Sequence, residues 1–251
     1  MRLRKERTDA ILQAIAAGNA DVDGLAARFG VSASTIRRDL QHLSTRRAIT
    51  RTYGGAVLAA PAPEQSLRKR EGQHRAAKAA IAAAALAEIR EGETLILDGG
   101  STVEALGRLL GGRRQRVITN NLPLIPVLTG TLGLELVVLG GTVRPISMGT
   151  TGPLAEQALR QMTADKVFTS ADGVVAGRGL CEATLEQASL KALMTEQAAE
   201  VFVLADSSKL GRASQPCWTP FHAGWTLVTD ASEPLCAPFQ AAGLRVIRVQ
   251  G

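Results

Sequence analysis

Apolar positions in the first fifty-odd residues recur at helical spacing in three short bursts. Leu3, Ile11, Leu12 and Ile15 form a stripe that ends near Gly18, and Leu25, Ala26 and Phe29 form a second, closed by Gly30. Ser32 is placed to cap a third helix, whose inward positions are Ile36, Leu40 and Leu43. Ala48 to Ala56 then alternates weakly and ends in Gly54–Gly55, the pattern of a small hairpin or wing. This spacing predicts a three-helix unit with a wing.

The pattern changes after Val57. The stretch to about Glu71 is rich in Ala, Pro and charge, and Pro61 and Pro63 disfavour a regular helix, so a linker is expected. An Ala-rich helix follows, roughly Arg75 to Ile89. Beyond it come seven short aliphatic runs: Thr94–Leu97, Arg116–Thr119, Leu134–Leu139, Lys166–Thr169, Glu200–Ala205, Trp225–Val228 and Leu244–Val249. Helical stretches at Val103–Leu110, Pro153–Gln161 and Leu185–Ala198 lie between several of them. Such a rhythm predicts an α/β fold with an open, mostly parallel sheet. The expected division is a small helical head with a wing at 1–57, a linker at 58–74 and an α/β domain at 75–251.

Charge sharpens that division. Residues 1–75 carry a net charge of +7 and the remainder −1, so the excess of +6 belongs to the N-terminal part. A basic head before a neutral body suits a polyanion-binding module joined to a part with another task. No apolar stretch is long enough to span a membrane, and three widely spaced cysteines fit reduced thiols in the cytoplasm. Cys217, His222 and Cys236 lack structural zinc spacing, so neither a metal nor another cofactor is expected.

If Ile36, Leu40 and Leu43 face inward, Ser34, Arg38 and Gln41 lie nearly opposite, with Arg37 on the flank. In a major groove, Arg pairs bidentately with guanine and Gln with adenine. Arg46, Arg47 and Arg51 precede or enter the wing, where phosphate or minor-groove contact is expected. The run Val31-Ser32-Ala33-Ser34-Thr35-Ile36-Arg37-Arg38-Asp39-Leu40 resembles the signature of DeoR-type bacterial transcriptional regulators, as does the wing sequence Arg51-Thr52-Tyr53-Gly54-Gly55-Ala56. The resemblance implies a winged helix-turn-helix, with Ser34, Thr35, Arg37 and Arg38 at or near double-stranded operator DNA.

The later strands end in Asp98, Asn120, Gly140–Gly141, Asp172, Asp206 and Asp230, at the edge where open α/β sheets hold ligands. Asp98-Gly99-Gly100-Ser101-Thr102 is a plausible anion cradle, since glycines admit close approach while hydroxyls and helix-start amides donate hydrogen bonds. It has neither a P-loop ending nor dinucleotide-fold glycine spacing. These landmarks, with Thr119-Asn120-Asn121, Ala171-Asp172-Gly173 and Ala205-Asp206-Ser207-Ser208-Lys209, resemble the sensor domain of the same family in order. That domain resembles the ribose-phosphate isomerase and CoA-transferase type of sheet and senses phosphorylated sugars or their relatives.

By that resemblance, phosphate lies near Gly100, Ser101 and Thr102, while Asn120, Gly141, Asp172 and Lys209 meet the sugar end or pocket wall. Lys78 adds positive charge. Ser101 and Gln187 depart from the family's usual threonine and acidic residue, the second change removing a carboxylate. The resulting expectation is a repressor of a carbohydrate operon, no enzyme, a homodimer or homotetramer, controlled by a phosphorylated sugar or sugar acid. A sugar-phosphate isomerase-like enzyme with an ancillary DNA-binding head stays open as the alternative, because Asp98, Asp172 and Lys209 are residue types that proton transfer needs.

Overall fold

Residues 8, 10–12, 14–15, 21–45, 49–52, 55–58 and 64–250 are described by the computed structural model. In the head, residues 8, 10–12 and 14–15 are helical, followed by α1 (Val22–Phe29), α2 (Ala33–Thr45) and the strands β1 (Ile49–Thr52) and β2 (Gly55–Leu58). Asp21 caps α1 by accepting from the Gly24 N–H at 2.6 Å, and Gly30 ends it in the left-handed region at φ 62°. Ser32 Oγ accepts from the Thr35 N–H at 3.2 Å, placing the expected cap on α2. Ile36, Leu40 and Leu43 are buried with Ile11, Ile15, Leu25 and Ile49, forming the head's core. The wing strands pair antiparallel from Ile49↔Leu58 to Thr52↔Gly55, leaving a two-residue connection.

The body's strands, in chain order, are β3 (Thr94–Leu97), β4 (Gln115–Thr119), β5 (Leu134–Val138), β6 (Thr142–Arg144), β7 (Gly149–Thr151) and β8 (Ala164–Thr169). Then come β9 (Gly173–Val175), β10 (Gly179–Glu182), β11 (Ala198–Leu204), β12 (Cys217–Thr219), β13 (Thr226–Thr229) and β14 (Arg245–Arg248). The seven aliphatic runs form one sheet in the order β14-β13-β11-β8-β3-β4-β5, every neighbouring pair parallel. The remaining short strands make two small antiparallel sheets, β6–β7 and β12–β10–β9. At three or four residues each, these are too short to show an alternating pattern, and their pairing comes from tertiary contact.

The body's helices are α3 (Leu67–Glu71), α4 (Arg75–Ala87), α5 (Ser101–Gly107), α6 (Ile125–Leu128), α7 (Pro153–Leu159), α8 (Leu185–Glu196) and α9 (Glu233–Ala241). Strand alternation distributes them on both faces. Leu95 and Leu97 pack in one core with Ile81, Ala82 and Ala85 of α4 and with Val103 and Leu106 of α5. Ile96 falls in the opposite core with Leu159 of α7, Leu190 and Met194 of α8, and Phe239 of α9. The alanines of α4 add little bulk, which lets that helix lie close to the sheet.

The second half of the expected linker is packed onto the body. Leu67 is buried and its N–H donates to the Ile146 carbonyl at 2.8 Å, while Glu64 forms an ion pair with Arg144. Ser66 caps α3, accepting from the Lys69 N–H at 3.4 Å. A single apolar anchor among charged neighbours gives no helical stripe, so composition alone could not reveal this short docked helix. Residues 64–74 therefore form a strap across the body.

Candidate functional site

The chain order reverses between β3 and β8, neighbours in the sheet, and the turns that leave their carboxyl ends diverge there. This divergence opens a crevice of about 960 Å³, solvent-filled mouth included. Asp98–Thr102 follows β3, Asn120 follows β4, Ser170–Asp172 follows β8, and Asp206–Lys209 follows β11. The strap closes another side with Gln65, Arg70, Gln73 and His74. Lys78, Asp98, Gly99, Gly100, Ser101, Thr102, Asn120, Asp172 and Lys209 thus share one cavity.

Gly141 lies apart from that lining. Its φ of +128° and the Thr151 carbonyl oxygen, 2.5 Å from where a Cβ would sit, require glycine for the entry to β6. Its small side is used for close backbone approach within the fold. Gly100, by contrast, lies on the wall, with φ +138° and the Ser170 side chain 3.5 Å from an added Cβ.

Asp98 also differs from an open ligand contact. Its Oδ1 accepts from the Gly99 N–H at 2.6 Å; its Oδ2 accepts from Thr169 Oγ1 at 2.6 Å and from the Lys191 ammonium. Lys191 further donates to Thr169 Oγ1 at 2.9 Å and the Ser170 carbonyl at 2.6 Å, and lies 3.2 Å from Glu182. Burial works against the charge on Lys191, but the two carboxylates beside it raise its pKa overall. Burial pushes the Glu182 carboxyl up to about 7 despite Lys191. This buried triad braces the ends of β3, β8 and β10 with α8. Asp98 is its central acceptor.

Two other lysines have a different environment. Lys78 is buried, and its ammonium donates to the Arg70 carbonyl; Lys209 donates to the Asp172 carbonyl at 3.5 Å. Among the described residues, neither has a carboxylate within ion-pairing distance. Burial pushes both below the ordinary lysine pKa, outweighing the opposing pull of Asp206 on Lys78 and of Asp172 on Lys209. Arg212 adds a further cation to the wall. The helix that begins at Ser101 has only seven residues, so attraction for an anion here rests mainly on these side chains.

Arg70, Glu182 and Lys191 are among the crevice residues that sequence reasoning did not assign to the site, as are Gln65, Gln73, His74 and Arg212. Arg70 sits in the basic run Arg68-Lys69-Arg70 and reads as solvated charge; only Leu67, three positions earlier, hints that the segment docks. Its guanidinium lies 3.3 Å from Asp172 Oδ1.

On the head, Ser34, Arg37, Arg38 and Gln41 are exposed along α2, while Thr35 is half-buried. Ser34 and Thr35 hydroxyls both lie within hydrogen-bonding distance of Ser32 Oγ, at 2.8 and 2.9 Å. These hydroxyls therefore also shape the start of the helix. Asp39 is buried on the inner side. Arg46 and Arg47 lie outside the described residues, as does the side chain of Arg51.

Among the described residues, no His, Cys, Asp and Glu cluster could hold a metal, and no helix is long and apolar enough to cross a membrane. Cys181 and Cys236 are buried and Cys217 partly so, all three as free thiols. Burial raises the Cys181 pKa to about 11, making its thiolate scarce.

Comparison with known proteins matches residues 7–62 to the DeoR-like helix-turn-helix domain and residues 73–231 to the DeoR C-terminal sensor domain. The chain is 34% identical over 210 residues to the transcriptional repressor AccR of Agrobacterium fabrum, covering 82% of this chain and 81% of that protein. It is 30% identical over 233 residues to the lactose phosphotransferase system repressor of Lactococcus lactis, covering 90% and 91% respectively. Ribose 5-phosphate isomerase A from Methanocaldococcus jannaschii is similar over 53% of this chain and 52% of its own, at 20% identity and TM-score 0.39. At that distance, the structural match carries no inference about activity.

Proposed function

The chain belongs to the DeoR family of transcriptional regulators, and from that premise we propose that its crevice binds a small phosphorylated sugar or sugar acid that controls operator binding. The observation that carries this reading is the pair of ammoniums, Lys78 buried and Lys209 partly buried, that form no ion pair with a carboxylate among the described residues. Keeping such charges desolvated is costly, and a phosphate offsets that cost by bringing both negative charge and acceptors. Ser101 and Thr102 offer hydroxyls on the adjoining wall.

The protein acts in the cytoplasm as a DNA-binding repressor of a carbohydrate operon. Its exposed α2 face reads the major groove, while the wing meets the phosphate backbone. A homodimer or homotetramer carries several heads, since one short helix contacts too few bases for strong discrimination. Regulation rather than turnover is supported by Asp98: its contacts brace the fold instead of leaving it free for proton transfer.

DNase footprinting of the DNA upstream of its own gene tests this function, with and without a panel of pentose and hexose monophosphates. Protection of a defined site, altered by a panel member, is expected. No selective protection in any condition contradicts the regulatory reading.

A further inference from the structure

The two edges of the seven-stranded sheet are built differently. β14 begins with Arg245 and ends with Arg248, both exposed and ion-paired, to Glu88 at 3.0 Å and to Glu233 at 3.1 Å. Charge of this kind guards an edge, because a strand that pairs there must disturb it. β5 reads Leu134-Glu135-Leu136-Val137-Val138, with no proline, glycine or lysine. Its single charge leans back on the sheet, where Glu135 lies 3.3 Å from Arg116 of β4. Val138 is exposed, as is Leu132 just before the strand.

Backbone geometry decides which groups that edge presents. Among the described residues, β5 has β4 as its only sheet neighbour. The Gln115 N–H donates to the Gly133 carbonyl at 3.2 Å, and the Leu139 N–H donates to the Thr119 carbonyl at 2.8 Å. With the parallel register running from Gln115↔Leu134 to Thr119↔Val138, the odd-numbered positions of β5 bond to β4. Leu134, Leu136 and Val138 therefore turn their carbonyls outward, and Leu136 and Val138 their N–H groups as well. The Leu134 N–H turns back to the Thr131 carbonyl at 3.2 Å.

We propose that β5 is the seam of a homodimer, pairing antiparallel with β5 of a second copy of this chain about a two-fold axis at Leu136. The inference locates the surface of the homo-oligomer named above and rests on that reading. The outward groups select a strand as occupant, since another edge offers donors and acceptors at the same spacing. The side chains select a second copy. An axis at Leu136 sets Leu136 opposite Leu136 and Leu134 opposite Val138, so one apolar row continues across the seam. On the other face Glu135 meets Val137, whereas an axis one residue earlier would oppose two like charges. In this register Leu136 exchanges both backbone hydrogen bonds with its counterpart, and Val138 donates to the Leu134 carbonyl of the second copy. Each copy has one such edge and the guarded β14 does not repeat it, so the pairing closes at two. Two bodies joined this way bring two heads to one operator, as reading paired half-sites requires.

Analytical ultracentrifugation of the full chain over a concentration series tests the seam, with wild type, Val138→Pro and Val138→Lys compared and circular dichroism confirming the fold. Proline removes an outward N–H that β4 does not use, and lysine sets a charge on the edge. Wild type should associate, and either variant should raise the dissociation constant about 10- to 100-fold, the range for two lost hydrogen bonds per dimer. If Val138→Pro fails to fold, Val138→Lys still reads the seam, because that side chain is exposed. Hydrogen exchange should agree, with β5 amides slow in the wild-type dimer and faster on dilution to monomer. Folded variants that associate as tightly as wild type, or β5 amides that exchange alike in dimer and monomer, overturn β5 as the seam and leave the homo-oligomeric regulator intact. Wild type that stays monomeric at every concentration overturns both the seam and the homo-oligomer.

Discussion

The head and the crevice hold their cations in opposite surroundings. Arg37 and Arg38 stand exposed on α2, whereas Lys78 is buried on α4 and Lys209, after β11, is partly buried. An exposed guanidinium keeps its hydration until DNA arrives and suits a long phosphate lattice, but salt screens it. A buried ammonium has already lost hydration, so a small anion restores what folding removed. One arrangement serves reach and reading. The other serves selection of one compact ligand.

Breaking the head should give the largest effect. Arg38→Ala removes a candidate bidentate base contact and should weaken operator binding about 5- to 150-fold, with inorganic phosphate affinity unchanged. Fluorescence anisotropy with the upstream duplex reads the first and calorimetry the second; operator affinity equal to wild type removes Arg38 from the interface. On the crevice side, Lys209→Met should reduce inorganic phosphate affinity about 10- to 100-fold, the range for hydrogen bonds to charged groups. Retained phosphate binding would separate Lys209 from the anion.

Salt sharpens the contrast between the regions. Operator affinity should fall steeply on a log–log plot, losing about 0.9 unit per phosphate contact, while phosphate binding in the crevice responds more weakly. Equal slopes would place both anions in comparably solvated sites.

The difference in surroundings also decides what was legible in the sequence. The α2 face could be read because Ile36, Leu40 and Leu43 fix its orientation, and a helix then determines where Ser34, Arg38 and Gln41 lie. The seven aliphatic runs likewise revealed the sheet, and their polar endings located its binding edge. The crevice was legible where chain turns make it, at Asp98–Thr102, Asn120, Asp172 and Lys209. It was not legible where distant segments meet. Nothing local to Arg70 indicates that it meets Asp172, more than a hundred positions away, and nothing around Lys191 reveals the buried carboxylates of Asp98 and Glu182. Gly141 illustrates the converse: a glycine at a strand end whose small size serves backbone packing.

Two smaller effects probe the crevice further. Thr102→Val nearly preserves size, and loss of its hydroxyl should weaken phosphate binding by about threefold to tenfold, roughly the net worth of one hydrogen bond. An unchanged dissociation constant would remove Thr102 from the contact. Glu182 supplies a pH signature. Its folded-state pKa near 7 lies above the ordinary 4.5, so its contribution to stability is fully present below about 4.5 and lost as pH rises through about 7. The melting temperature of wild type should therefore include a decline from pH 5 to 8 that Glu182→Gln removes. Identical pH profiles would show that Glu182 titrates as it does in the unfolded chain.

The connection between the two regions is tested most directly by measuring the dissociation constant for the upstream duplex without ligand and at saturating concentrations of each sugar phosphate. With crevice and head coupled, at least one ester shifts that constant about fivefold or more, and the duplex shifts the ester's own affinity by the same factor. An ester that binds the crevice tightly yet leaves the operator affinity unchanged would show that the two sites share a chain without communicating.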